Sequence, residues 1–244
     1  MAKFFTADTH FSHPNILRFE AAARRFSNVT EMDESLVARW NALVGAADTV
    51  FHLGDVALGR PIDVGLACVG KLNGTKVLIE GNHDRPWMAR HKLQTKLDSG
   101  RLSASDAEHL EFEAARWRQR YIDAGFSDVI AGSTEVIIGG QRLRLSHFPY
   151  PSSGDTHHDD RFAAYRPLDD GVPLIHGHVH SSWRYRESNR CTPMVNVGVD
   201  VWNLTPVPAA TVLELLTDAS AAQNKSISYE NQNDSCLRRS DIDD

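Results

Sequence analysis

The stretch TKVLIEGNHD, residues 75–84, decides how the chain is read. Thr75–Glu80 reads as a strand, because β-branched and aliphatic residues suit a pleated, buried surface. It runs into Gly81, which turns without a Cβ clash, and then at once into an amide, an imidazole and a carboxylate at Asn82, His83 and Asp84. The same design recurs in both directions. Lys3–Ala7 leads to Asp8-Thr9-His10, Val50–Leu53 to Gly54-Asp55, Leu143–Leu145 to Ser146-His147, and Leu174–His176 to Gly177-His178-Val179-His180. Ligands of open α/β sheets bind outside the carboxyl ends of the strands, so five such ends can converge on one site. Asp8 and His10 lie two residues apart, as do His178 and His180, and an extended chain would point both members of each pair the same way.

The segments between these blocks alternate helix and strand patterns, which predicts an α/β layered fold. Thr30 is placed to cap a helix in which Leu36, Val37, Trp40, Leu43 and Val44 share one face. Pro61–Leu72 reads as a helix opened by proline and closed by Asn73-Gly74. Residues 86–125 read as a helical insertion, with Leu110, Ala114, Trp117 and Tyr121 at helical spacing and Ser103 or Ser105 as its N-cap. Gly139-Gly140 predicts a hairpin between Glu135–Ile138 and Arg142–Leu145. Pro173–His176 and Met194–Val199 read as strands and Pro208–Leu216 as a helix. Residues 1–216 form the expected domain, and the polar residues 217–244 an expected flexible tail.

Composition narrows the classes. The 244 residues are 41% apolar and 24% charged, as in an ordinary globular protein. A net charge of −6 argues against a duplex nucleic-acid footprint over the whole chain. Cys68, Cys191 and Cys236 are odd in number and widely spaced, which reads as free thiols in a reducing, cytoplasmic setting. No apolar run reaches the length that spans a bilayer. Twelve histidines are the unusual count.

Carboxylates, an amide and imidazoles suit cations such as Zn²⁺, Mn²⁺ or Fe²⁺ better than Ca²⁺. Seven such groups are too many for one tetrahedral zinc and about right for two adjacent ions sharing a carboxylate. Taken singly, each block reads blandly: Asp8-x-His10 as a surface turn, His147 as a structural histidine. Five in this order, each at a strand end, do not read as coincidence.

The ordered set Asp8-x-His10, Gly54-Asp55, Gly81-Asn82-His83-Asp84, His147 and Gly177-His178-x-His180 resembles the calcineurin-like metallophosphoesterases over about residues 3–216. The opening Asp8–Asn15 block and Asn196-Val197-Gly198-Val199-Asp200 resemble a small bacterial and phage branch. That resemblance implies a four-layer α/β/β/α sandwich with two divalent ions, manganese foremost and iron, zinc or nickel as alternatives. It implies that Asp8, His10, Asp55 and His180 hold one ion and Asp55, Asn82, His147 and His178 the other. His83 would be catalytic without binding metal, and Asp84 would orient it. The expected reaction is attack by a metal-bridging hydroxide on a small phosphodiester such as a nucleotide. Competing readings are a phosphomonoesterase or protein phosphatase, a nuclease, and a metal-bearing scaffold. His13 reads equally as a substrate contact or a turn residue, His52 and His176 as structural, and His91 and His109 as solvent-facing. His157 and His158 lie in a polar loop at 152–160. Phe148 and Tyr150 read as packing residues or as base-stacking ones.

Overall fold

The computed structural model describes residues 1–151 and 162–218. The loop with His157 and His158, and the tail beyond residue 218, lie outside the described residues. The first half runs β1 (Lys3–Thr6), α1 (Ile16–Phe19), α2 (Val29–Leu43), β2 (Thr49–His52), α3 (Ile62–Val69), β3 (Thr75–Ile79), α4 (Arg85–Asp98), α5 (Ala104–Asp123) and β4 (Phe126–Ile130). Then come β5 (Ser133–Ile138), β6 (Gln141–Ser146), β7 (Leu174–His176), β8 (Tyr185–Glu187), β9 (Pro193–Asn196) and β10 (Val207–Pro208). A helix over residues 209–218, α6, follows.

The strands make two five-stranded sheets, ordered β10-β1-β2-β3-β4 and β5-β6-β7-β9-β8. β1 to β4 are parallel, with β10 antiparallel at the edge. In the second sheet β6, β7 and β9 are parallel, flanked by antiparallel β5 and β8. Strands buried on both faces need apolar residues at successive positions, and the first sheet has them. Phe4, Val50 and Leu78 face a core built with α2, α3 and α5, whereas Phe5, Leu53 and Ile79 face Leu143, Leu145, Ile175 and Val195 of the second sheet. Helices, first sheet and second sheet therefore stack in that order. Along β7 and β9 the alternate residues Leu174 and Met194 turn away from this inter-sheet core and pack with Tyr150 and Trp183.

Local chemistry accounts for the element ends. The Ser103 hydroxyl accepts from the Asp106 amide at 3.1 Å in a reciprocal capping box, which settles the choice between Ser103 and Ser105. Asn28, not Thr30, caps α2: its side chain accepts from the Glu31 amide at 3.0 Å, while the Glu31 carboxylate accepts from the Ser27 amide. Thr30 is already inside the helix, whose start lies two residues earlier than its hydroxyl suggested. Gly139 and Gly140 both have positive φ (59° and 81°), as a two-residue hairpin turn with the sheet's own twist requires. The helices at 86–125 are α4 and α5, which carry the chain from β3 to the parallel strand β4.

Candidate metal centre

All five predicted blocks sit at the carboxyl ends of β1, β2, β3, β6 and β7, on the seam where the two sheets meet. The seam is tight. A Cβ on Gly177 would stand 2.5 Å from the Ala7 methyl and 2.8 Å from Asp8 Oδ2, so only glycine fits. Val199 N donates to Ala7 O at 3.1 Å across the same seam.

The backbone reaches the site in a form that the two-residue spacing did not foretell. Asp8, His10, Asp55, His178 and His180 all have positive φ, from 46° to 74°. Asp8-x-His10 and His178-x-His180 are therefore left-handed turns rather than extended chain. Such residues are uncommon outside glycine and concentrate at functional sites.

The side chains converge. Ligand atoms of Asp8, His10 and His180 lie within 4.8 Å of one another, and so do those of Asp8, Asp55 and His147. His147 Nε2 is 3.0 Å from Asn82 Oδ1, 3.2 Å from His178 Nδ1 and 3.6 Å from Asp55 Oδ2. His147 Nδ1 is 2.8 Å from the Leu53 carbonyl, to which it donates. Nε2 is then the ring atom turned to the oxygens of Asn82 and Asp55, three electron-pair donors facing one another. That is the arrangement a cation resolves. Both ring nitrogens of His10 are buried and lack a hydrogen-bond partner, which fits the same explanation.

Burial first, then the neighbouring carboxylates, pushes Asp8 up to about 6, against the opposing His180 and His147. Burial acts the same way on Asp55, but His147, His10 and His83 outweigh it and hold that carboxyl below the usual range. His10 and His178 are held well below the ordinary histidine value by burial. Burial also opposes charge on His180, but its bond to Asp200 and the charges of Asp8 and Asp200 lift it to about 9.

His83 and His13 complete the group. The His83 amide donates to Asp55 Oδ1 at 2.8 Å, and its ring stands 5.6 Å from that of His10, centroid to centroid. The His13 ring lies 5.3 Å from that of His10. Asp84 is buried, and its carboxylate accepts from the amides of Asp55, Val56 and Gly81 and from the Tyr121 hydroxyl of α5. Its hydrogen bonds thus tie the β2 and β3 turns and α5 together, rather than reaching the His83 ring.

Other residues fall into place around the centre. His52 and His176 are buried, and burial holds both at about 3, so they are neutral. The Thr9 hydroxyl donates to Val56 O, so His52 Nε2 donates to Thr9 at 2.9 Å. Phe148 and Tyr150 are buried and pack, with Phe148 5.0 Å from the rings of both His147 and His178. His109 is exposed. His91 is not solvent-facing; it stacks on Trp87 at 4.7 Å and bonds the Tyr165 hydroxyl at 2.6 Å.

Sequence reasoning missed Arg24, whose guanidinium clamps Asp200 at 2.6 and 3.0 Å, and it missed the role of Asp200, which accepts from His180 Nδ1 at 2.8 Å. Asp200 carried a signal in its Asn-Val-Gly-Val-Asp block; Arg24 carried none.

Fold and site together define a mixed α/β protein with a dense set of metal-capable side chains at its strand ends. No family model matches the chain. It is 34% identical to the gene 66 protein of Mycobacterium phage L5 over 205 residues, 82% of this chain and 86% of that one. It is also 34% identical to the gene 66 protein of Mycobacterium phage D29 over 220 residues, 88% of this chain and 96% of that one. The chain belongs to the family of these phage gene 66 proteins. Among solved structures, AQ665 of Aquifex aeolicus, a protein of unknown function, shares the fold. Its TM-score is 0.57 at 22% identity, over 88% of this chain and 98% of that one. A novel archaeal phosphodiesterase (16% identical, 81% of this chain, 84% of that one) and the phosphoesterase Yfce from E. coli (19%, 80% and 78%) are looser matches, with TM-scores of 0.36 and 0.32. No helix among the described residues is long and apolar enough to cross a membrane.

Proposed function

We propose that the chain is a metal-dependent phosphoester hydrolase, a phosphodiesterase acting on a small nucleotide or similar diester. In this reading residues 1–216 form a four-layer metallophosphoesterase domain. The observation that carries it is His147 Nε2 turned onto the oxygens of Asn82 and Asp55 at 3.0 and 3.6 Å, beside a buried His10 ring whose nitrogens have no hydrogen-bond partner. Asp8, His10, Asp55 and His180 would hold one divalent ion, and Asp55, Asn82, His147 and His178 the other, with manganese foremost. When bound, such a pair supplies the positive charge that draws a phosphoester anion and acidifies water beside it.

The chain's own residues do the rest. His83, partly exposed beside the cluster, is placed to give a proton to the leaving oxygen. Asp84 holds the turns that carry Asp55 and His83, and His13 borders the position of the ester. The buried Cys68 thiol and the exposed Cys191 thiol are both free, which fits a cytoplasmic setting.

Assays of an aryl phosphate monoester and a bis-aryl diester, each with Mn²⁺, Ni²⁺, Mg²⁺ and Zn²⁺, test the proposal. The diester should be hydrolysed faster, and only with metal. Full activity in thoroughly chelated protein would overturn the reading, and metal binding without hydrolysis of either ester would favour a scaffold. His83→Ala should keep its metal and lose roughly 10²–10⁴-fold in kcat.

A further inference from the structure

Arg24 is a charged side chain only 1% exposed, yet every one of its five N–H donors is engaged. Nε and Nη2 grip Asp200 Oδ1 and Oδ2, Nη1 reaches the Thr9 carbonyl at 2.9 Å and Met32 Sδ at 3.6 Å, and Nη2 reaches the Asp8 carbonyl. One guanidinium thus fixes the turn that carries Asp8 and His10, and fixes Asp200, 176 residues away. Asp200 in turn accepts from His180 Nδ1, which leaves Nε2 as the ring nitrogen free for a cation, and a ring nitrogen of His180 lies within 4.8 Å of ligand atoms of Asp8 and His10. A buried ion pair is a weak means of stabilising a fold. This one is aimed at three members of one ligand cluster; it makes no bond to Asn82, His147 or His178, and touches the second cluster only through Asp8, which the two share.

We propose that Arg24 and Asp200 are positioning residues that hold Asp8, His10 and His180 in register for one divalent cation, Asp200 by setting the His180 ring and Arg24 by setting the Asp8–His10 turn. The inference rests on the two-ion reading of the site. Carboxylate partners of metal-binding histidines act in this way, and losing them weakens metal affinity by roughly 10–100-fold.

The test is a titration of the chelated full chain with Mn²⁺ by calorimetry, with thermal unfolding of the metal-free protein alongside. The natural chain should take up two ions. In Asp200→Asn one ion should bind as before and the other roughly 10–100-fold more weakly. The surviving ion should be the one that a further Asn82→Ala removes. Equal weakening of both ions, or no weakening, overturns the assignment, since a residue that merely holds the fold has no reason to choose between them. If Asp200→Asn does not fold, Arg24→Met with Asp200→Asn removes both charges together, and the same split is expected. If the natural chain binds only one ion, the two-ion reading fails separately. The positioning role then stands if Asp200→Asn weakens that ion and falls if it does not.

Discussion

The two halves of the site are held by different physics. Around Asp8, His10 and His180 the support is charged and directional: Arg24 and Asp200 are buried and bonded to the loops that carry the ligands. Around His147 and His178 the ring faces are packed by aromatic side chains, and the directional bonds run from His147 Nδ1 to the Leu53 carbonyl and from the His178 amide to Asp8. Phe148 stands 5.0 Å from both rings, Phe162 5.4 Å from His178, and Trp87 about 6 Å behind them. A charged brace fixes direction and fails when one partner is lost, whereas apolar packing fixes volume and accommodates a similar shape.

That contrast sets what should break each half. Arg24→Met leaves Asp200 buried beside His180 without its guanidinium, and a loss of about 3–5 kcal/mol is expected in denaturant unfolding. Behind the same half lies His52, neutral in the fold and held at about 3. A depressed histidine value stabilises the fold above the unfolded value near 6.5. The unfolded chain takes up the proton below it, so stability should drop by up to about 1.4 kcal/mol per pH unit between roughly pH 6 and 3. His52→Gln should flatten that slope, as unfolding across this range would reveal. Phe148→Leu on the aromatic half should cost less than about 1.5 kcal/mol, and a larger loss there than in Arg24→Met would reverse the comparison. Smallest is Tyr121→Phe, which removes one of four donors to Asp84 and should lower the melting curve by about 1 kcal/mol.

Much of this was legible along the chain because it is local. An apolar run ending in a glycine turn and a polar side chain announces a strand end, and Gly139-Gly140 announces a hairpin. What was hidden is what depends on distant residues. Nothing around Arg24 distinguishes it from its neighbour Arg25, and only the fold brings it to Asp200. Tyr121 read as one more apolar position on a helix, yet its hydroxyl reaches Asp84 because α5 packs on the first sheet. The Asp8-x-His10 spacing pointed to two side chains that the fold does bring together, but through left-handed rather than extended backbone. Thr30 reads as the cap of α2 although Asn28 holds that place, because side-chain type alone cannot say which polar residue stands outside the first turn.

The bond between Asp8 and the His178 amide closes a loop of 170 residues, and the Arg24–Asp200 clamp a loop of 176. Closing so long a loop is costly in chain entropy and requires both sheets to be in place first. During synthesis the Asp8–His10 turn can meet Arg24, Gly54 and Asp55 early, but His178, His180 and Asp200 reach it only once residue 200 has emerged. Formation of the cluster would thus report that the whole body has assembled, a built-in proof of completeness that no single segment can give.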